Sequence, residues 1–257
     1  IDLEAVRSRY RAAQPFPFFV IDNFLEESFA RSVFEAYPSY EEARRMGFEF
    51  HALNEKLKVQ VTDSAKFPEA VRRLSVALSS PQFLEQLEYI TGIPKLLADP
   101  EFHGGGMHLT GPTGRLDVHV DFNLLNGLHR RLNILVYLNP VWEESWGGNI
   151  ELWDKDVKKC FHSLQPIFNR CVVFETSEIS FHGVTPITCP PGYVRRSFAA
   201  YYYTREAPAH WDGTKHSTVF RARPNERLRG TVLMPAQKLR ENLRSGVRRV
   251  KNMLKGL

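Results

Sequence analysis

His119 and Asp121 stand two positions apart in LDVHVDFNLL, residues 116–125, a run whose alternation predicts a β-strand. Side chains at i and i+2 of a strand share a face, so an imidazole and a carboxylate there address one point in space. Such pairs also arise by chance in strands, and the chemistry depends on a third partner. His182, in ISFHGVTP near the end of a later predicted strand, can supply it. Two imidazoles and a carboxylate on one side of a metal ion leave the opposite positions open to other ligands.

That facial set is the donor arrangement of non-haem iron(II) sites. An open iron site that activates O2 needs a source of electrons, and a dicarboxylate co-substrate would need a cation deeper in the fold. The run RRSFAAYYYT carries Arg195 and Arg196, whose planar forks suit a carboxylate better than an ammonium does. Adjacent strand residues point to opposite faces, so only one of the two arginines can enter the pocket. His51, His103, His129, His162, His210 and His216 fall in expected loops, helices or turns, where surface or core roles account for them.

The elements that must position these residues follow from texture. PFPFFVIDNFL reads as a short strand, with Asp22 or Asn23 capping a helix that places Phe29, Val33 and Phe34 on one face. PEAVRRLSVALSSPQFLEQLEYITG reads as two helices, broken before Pro81 and stopped at Gly92. From 103 to 204 short strands alternate with Gly, Pro and Asn turns: LDVHVDF, RLNILVYLNP, GGNIELWD, KCFHSL, RCVVFET, ISFHGVTPI and RRSFAAYYYT. Close-spaced short strands point to an antiparallel jelly roll. RLNILVYL is apolar on both faces and is expected to be covered on both sides. The organisation expected is a mainly helical support over residues 1–102, a β core over 103–220 that forms one domain with it, and a basic linker and helix over 221–257.

In order and spacing these motifs resemble the iron(II)/2-oxoglutarate dioxygenases, in their prolyl 4-hydroxylase-like branch. The resemblance runs through His119-x-Asp121, RLNILVYLNP, WGGNIELW, RCVVFET leading to His182, and the final Arg195-x-Ser197 strand, and it extends over most of residues 15–204. It implies a double-stranded β-helix of the cupin-like jelly-roll kind in a mainly β, α+β chain, with N-terminal helices on one sheet. It implies iron(II) on His119, Asp121 and His182, with 2-oxoglutarate and O2 as co-substrates. Arg195 and Ser197 would hold the distal carboxylate, with Tyr137 and Asn133 as candidates for further contacts. The implied reaction hydroxylates an unactivated C–H bond while 2-oxoglutarate becomes succinate and CO2. Asp121 fills the position that halogenating relatives leave to a halide. One departure is the absence of a tyrosine about ten residues before the first ligand, where His108 stands. Two other readings stay open: a zinc hydrolase on the same three ligands, which gives Arg195 no task, and a jelly roll that binds without catalysis. The resemblance leaves the substrate open between a small molecule and a peptide, and Trp142, Trp146, Phe122 and Trp211 are candidate mouth residues that could stack on a ring or merely pack.

Charge is divided unevenly. Eleven Lys/Arg against two Glu give residues 221–257 a charge of +9, so with +5 for the whole chain residues 1–220 carry −4. The basic excess therefore lies in the tail and gives the body no reason to bind nucleic acid. Cys160, Cys171 and Cys189 are odd in number and lack C-x-x-C spacing, which argues against a disulfide framework. With no secretory pattern and no membrane-length apolar run, a cytoplasmic location is expected. The tail segment AQKLRENLRSGVRRVKNMLKGL spaces Leu239, Leu243, Val247, Val250, Leu254 and Leu257 as one helical stripe among cations. The stripe suits docking on the core, self-association, or peripheral contact with an anionic membrane. Removing residues 236–257 is expected to leave 2-oxoglutarate turnover intact while changing solubility, oligomer size or liposome binding. Size-exclusion and salt-dependent vesicle sedimentation separate these outcomes, and a truncated chain that fails to fold assigns the stripe to the core.

Overall fold

Alternation with period two decides which side chains reach the site and which build the core. In the computed structural model, which describes residues 1–209, 211–226, 228, 231, 233 and 234, the elements are helix α1 (Leu3–Ala12), strand β1 (Phe18–Ile21), α2 (Glu27–Ala36), α3 (Tyr40–Met46), β2 (Phe48–His51) and β3 (Glu55–Val61). There follow α4 (Glu69–Leu78), α5 (Pro81–Thr91), β4 (Leu97–Ala98), β5 (Gly106–Val120), β6 (Leu124–Leu125), β7 (Leu128–Tyr137) and β8 (Ile150–Trp153). The chain continues with β9 (Cys160–Leu164), β10 (Cys171–Glu175), β11 (His182–Val184), β12 (Arg195–Thr204) and β13 (Val219–Arg221).

The long strand β5 belongs to two layers. Its first half lies between β12 and β3, in a sheet ordered β1–β10–β7–β12–β5–β3–β2. Its second half lies between β11 and β13, and β11 leads on to β8 and β9. All these pairings are antiparallel, and the curled sheet with helices on one face is the double-stranded β-helix expected from the motifs.

In β7, Leu132, Ile134 and Val136, with Leu138 just beyond it, join the core formed with the helices, whereas Leu135 and Tyr137 join a second cluster inside the barrel with Ile150, Val172 and Phe174. RLNILVYL is thus covered on both sides. The same division holds in β12, where Phe198, Ala200 and Tyr202 face the helices and Arg195, Ser197 and Tyr201 face the interior cavity. The helical side includes Val33, Leu74 and Leu87, each at 1% exposure or less, and each such burial stabilises by about 1.5–3 kcal/mol.

Helices α4 and α5 fall where the sequence places them, with Ser80 capping α5 and Gly92 ending it at φ 73°. The cap of α2 differs: Glu26, rather than Asp22 or Asn23, accepts from the Ser28 and Phe29 amides. Asp22 is committed to the Arg170 guanidinium at 2.6 and 2.9 Å, and Asn23 lies at φ 53°, a turn conformation. The first hundred residues are also less helical than expected, because residues 48–61 form the β2–β3 hairpin against β5. His51, His129 and His162 lie in strands rather than in loops or helices, and His210 and the amphipathic segment 236–257 lie outside the described residues. Among the described residues no helix is long and apolar enough to cross a membrane.

Phe198 is fully buried and meets the Phe67 and Phe102 rings edge-on at 5.8 and 5.7 Å. Phe198→Ala is expected to lower unfolding stability by about 3–5 kcal/mol, and Val76→Ala, at a site 64% exposed, by less than about 0.5 kcal/mol. Urea unfolding checks both, and equal effects would contradict the packing described.

Candidate metal centre

His119 in β5 and His182 in β11 are direct cross-strand partners, with ring centroids 4.3 Å apart. Gly183 lets β11 sit this close, since a Cβ there would stand 3.1 Å from the Val118 backbone. Asp121 follows immediately after β5, its two oxygens 3.6 Å from His119 Nε2 and 3.8 Å from His182 Nε2. All three residues are at most 9% exposed, and one ligand atom from each falls within a 4.8 Å span.

The backbone sets the tautomers. His119 Nδ1–H donates to the Asp117 carbonyl and His182 Nδ1–H to the Ser180 carbonyl, each at 2.9 Å, which leaves both Nε2 lone pairs facing Asp121. Asp121 Oδ2 has no hydrogen-bond partner. Burial drives the Asp121 carboxyl upward, but its polar and charged neighbours, among them the Arg130 guanidinium 3.5 Å away, outweigh it and hold the group below its ordinary range. Burial, aided by His119, pushes His182 down to about 4, so its imidazole is neutral at physiological pH. Two buried imidazoles and a buried carboxylate whose ligand atoms converge in this way make a site that suits a divalent cation. The Phe174 ring packs on His182 at 4.6 Å and the Phe220 ring on His119 at 5.3 Å.

Beside the three ligand candidates lies a cavity of about 270 Å3. Arg195 enters it from β12, 5% exposed, with Nε donating to the Gly148 carbonyl at 2.7 Å. Gly148 holds φ 71°, and a Cβ there would crowd Arg195 Cδ at 3.1 Å. The guanidinium lies 4.9 Å from the Tyr137 ring centroid. Arg195 Nη2, Ser197 Oγ, Tyr137 Oη and Asn133 Oδ1 are all buried without a hydrogen-bond partner. Burial lowers the Arg195 pKa and raises that of Tyr137, and each group partly offsets the shift of the other. A buried cation with unused donors costs several kcal/mol until an anion meets it. The Arg195, Ser197 and Tyr137 atoms can donate and suit a carboxylate, whereas Asn133 Oδ1 can only accept. Arg196 turns the other way, onto the Phe34 ring at 5.4 Å.

His108 lies opposite Ser197 in the cavity wall, and its Nε2–H donates to the Gly105 carbonyl at 3.2 Å. Burial, with Lys58 and Arg195 nearby, keeps it neutral. Phe122 lines the cavity, but Trp142 and Trp146 pack on Ile187 and Cys189 in a separate cluster, with Trp142 donating to the Gly147 carbonyl. Trp211 packs on His129 at 4.5 Å in another cavity.

Several site residues escaped the sequence reading. Lys58 and Gln60 line the cavity from β3, where the alternation in KLKVQV was the available signal. Arg130 points inward, 3.5 Å from Asp121, and the rule that separates Arg195 from Arg196 would have separated it from Arg131. Phe220 pairs with His119 from β13 and carries no local mark. Just beyond it, Arg223 donates to Glu151 at 2.7 Å and to the Val184 carbonyl at 3.1 Å, and its Nη1 lies 3.7 Å from the fully buried Asp117. It thereby ties together the strands that bear His119 and His182. Arg221, Arg223 and Glu226, expected in a basic linker, pack against the core.

Residues 105–203 match the family model for the 2OG-Fe(II) oxygenase superfamily. Prolyl 3-hydroxylase OGFOD1 of Mus musculus is 39% identical over 62 residues, which cover 23% of this chain and 11% of that protein's length. A Pseudomonas putida prolyl-4-hydroxylase superposes with a TM-score of 0.56 at 18% identity, over 80% of this chain and 100% of that one. A Trichoplax adhaerens prolyl hydroxylase, solved with a hypoxia inducible factor oxygen degradation domain peptide fragment, gives 0.55 at 18% identity, over 78% and 88%. At that identity the structural likeness establishes a common fold.

Arg195→Gln is expected to weaken 2-oxoglutarate binding about 10- to 100-fold, as for the loss of a buried charge-assisted pair, and Arg196→Gln to change it less than about twofold. Calorimetric titration of the metal-loaded chain measures both, and equal losses or the reverse order would contradict the orientation of β12.

Proposed function

We propose, from the match of residues 105–203 to the 2OG-Fe(II) oxygenase superfamily model and the geometry of the site, that the chain is an iron(II)- and 2-oxoglutarate-dependent hydroxylase of a prolyl residue in a peptide. The observation that carries this reading is the pairing of two unsatisfied sets: the convergent ligand atoms of His119, Asp121 and His182, and the orphaned donors of Tyr137, Arg195 and Ser197. The first set calls for a metal cation and the second for a carboxylate. A zinc hydrolase uses the first and leaves the second without a purpose.

His119, Asp121 and His182 would hold iron(II), which with 2-oxoglutarate and O2 supplies the oxidising chemistry that hydroxylates a C–H bond as 2-oxoglutarate becomes succinate and CO2. The protein's own part is positional. Arg195, fixed by the Gly148 carbonyl, presents Nη2 to the distal carboxylate, while Ser197 and Tyr137 offer hydroxyls beside it. Asp117 and Ser180 carbonyls keep each Nδ1 protonated and each Nε2 free. Leu135, Ile150, Val184 and Phe220 line the cavity and exclude water. Prolyl hydroxylases among the similar proteins, one of them solved with a peptide, support the prolyl and peptidyl substrate class.

His119→Ala, Asp121→Ala and His182→Ala are each expected to reduce succinate formation to below about 1% of the unsubstituted rate while cooperative thermal unfolding persists. Asp121→Gly, which removes the carboxylate without adding bulk, is expected to do the same. Turnover retained by a folded single variant would remove that residue from the ligand set.

A further inference from the structure

A second cavity, of about 610 Å3, opens behind Asp121, Phe122 and Arg130, which line both it and the co-substrate cavity of about 270 Å3. A substrate that approaches the metal centre while 2-oxoglutarate lies over Arg195 has little room in the smaller space. The larger one adjoins it at these three shared side chains.

The lining of the second cavity is aromatic and acidic. Trp211 stands edge-on to His129 at 74°, and Glu175 and Glu178 line the same space. Glu175 accepts from the Tyr10 hydroxyl at 3.2 Å and lies 3.8 Å from Arg131 Nη2. Glu178, whose side chain is 44% exposed, accepts from Asn123 Nδ2 at 2.9 Å and contacts His216. Thr176, 6% exposed, also lines the cavity, and its Oγ1 has no hydrogen-bond partner. Arg130 offers no free cation to offset the carboxylates. Its guanidinium is stacked at 3.5 Å on Phe122 and 3.7 Å on Tyr201, faces Asp121, and donates to Tyr203 Oη at 2.9 Å. Burial, with Arg131 nearby, lowers the His129 pKa, so that ring too is neutral at physiological pH.

We propose that the second cavity is a recognition subsite for an arginine or lysine side chain of the substrate, adjoining the metal centre; the inference rests on the peptidyl reading above. A guanidinium or ammonium there meets aromatic faces and carboxylates together, the combination that attracts a cation most strongly at a partly dry surface. The unpartnered Thr176 hydroxyl accepts a further hydrogen bond from it.

The test titrates N-acetyl-arginine amide into the full chain labelled with 15N-tryptophan, following the Trp211 indole resonance assigned through Trp211→Phe. A saturable Trp211 shift is expected, with N-acetyl-citrulline amide, similar in shape and uncharged, at least about tenfold weaker. Glu178→Gln, which keeps the shape of the cavity, is expected to weaken the arginine probe about tenfold. No saturable shift, equal binding of citrulline or of N-acetyl-leucine amide, or an unchanged Glu178→Gln would each overturn the proposal. The titration contains neither iron nor 2-oxoglutarate. Its failure leaves the hydroxylase reading standing, and a chain without hydroxylase activity leaves its result standing.

Discussion

Three lone pairs turned toward one another in a dry pocket repel unless something positive sits among them. That constraint, at His119 Nε2, His182 Nε2 and the Asp121 carboxylate, governs much of the surrounding structure. Two backbone carbonyls take the Nδ1 protons, so neither ring can relieve the repulsion by changing tautomer. Two phenylalanine rings pack on the imidazoles, and Arg223 holds the strands beneath them through Glu151 and the Val184 carbonyl. Arg130 offsets the Asp121 charge from one side at 3.5 Å but leaves Oδ2 without a donor.

The polar interior is tolerated because the same strands bury an apolar face on their other side. In β7 and β12 each inward Asn133, Tyr137, Arg195 or Ser197 alternates with a residue such as Ile134, Val136, Phe198 or Ala200 that packs against the helices. The helical layer therefore supports the site from a distance. Its burial offsets the several kcal/mol that a buried, half-satisfied arginine costs.

Local spacing made much of this legible in the sequence. His119 and Asp121 share a strand face, His182 ends a later strand, and alternation separates Arg195 from Arg196, so the three ligand candidates and the cavity-facing arginine could be read before any fold was known. What escaped depends on chain-distant pairing. The cap of α2 moved to Glu26 because Asp22 is drawn to Arg170, far along the chain. Phe220 reaches His119 through a three-residue strand, and Lys58 through a hairpin in a region that reads as helical. Trp142 and Trp146 looked like mouth residues because neither composition nor spacing tells a ring that stacks on a ligand from one that packs on Ile187.

The most direct measurement is the visible absorption spectrum of the anaerobic chain on addition of iron(II) and 2-oxoglutarate together. A weak charge-transfer band that appears only with both, saturates at one equivalent of iron, and is lost in Asp121→Ala is the expected result. No band in the folded chain, or a band that survives in Asp121→Ala, would contradict the convergence of these three side chains on one metal ion.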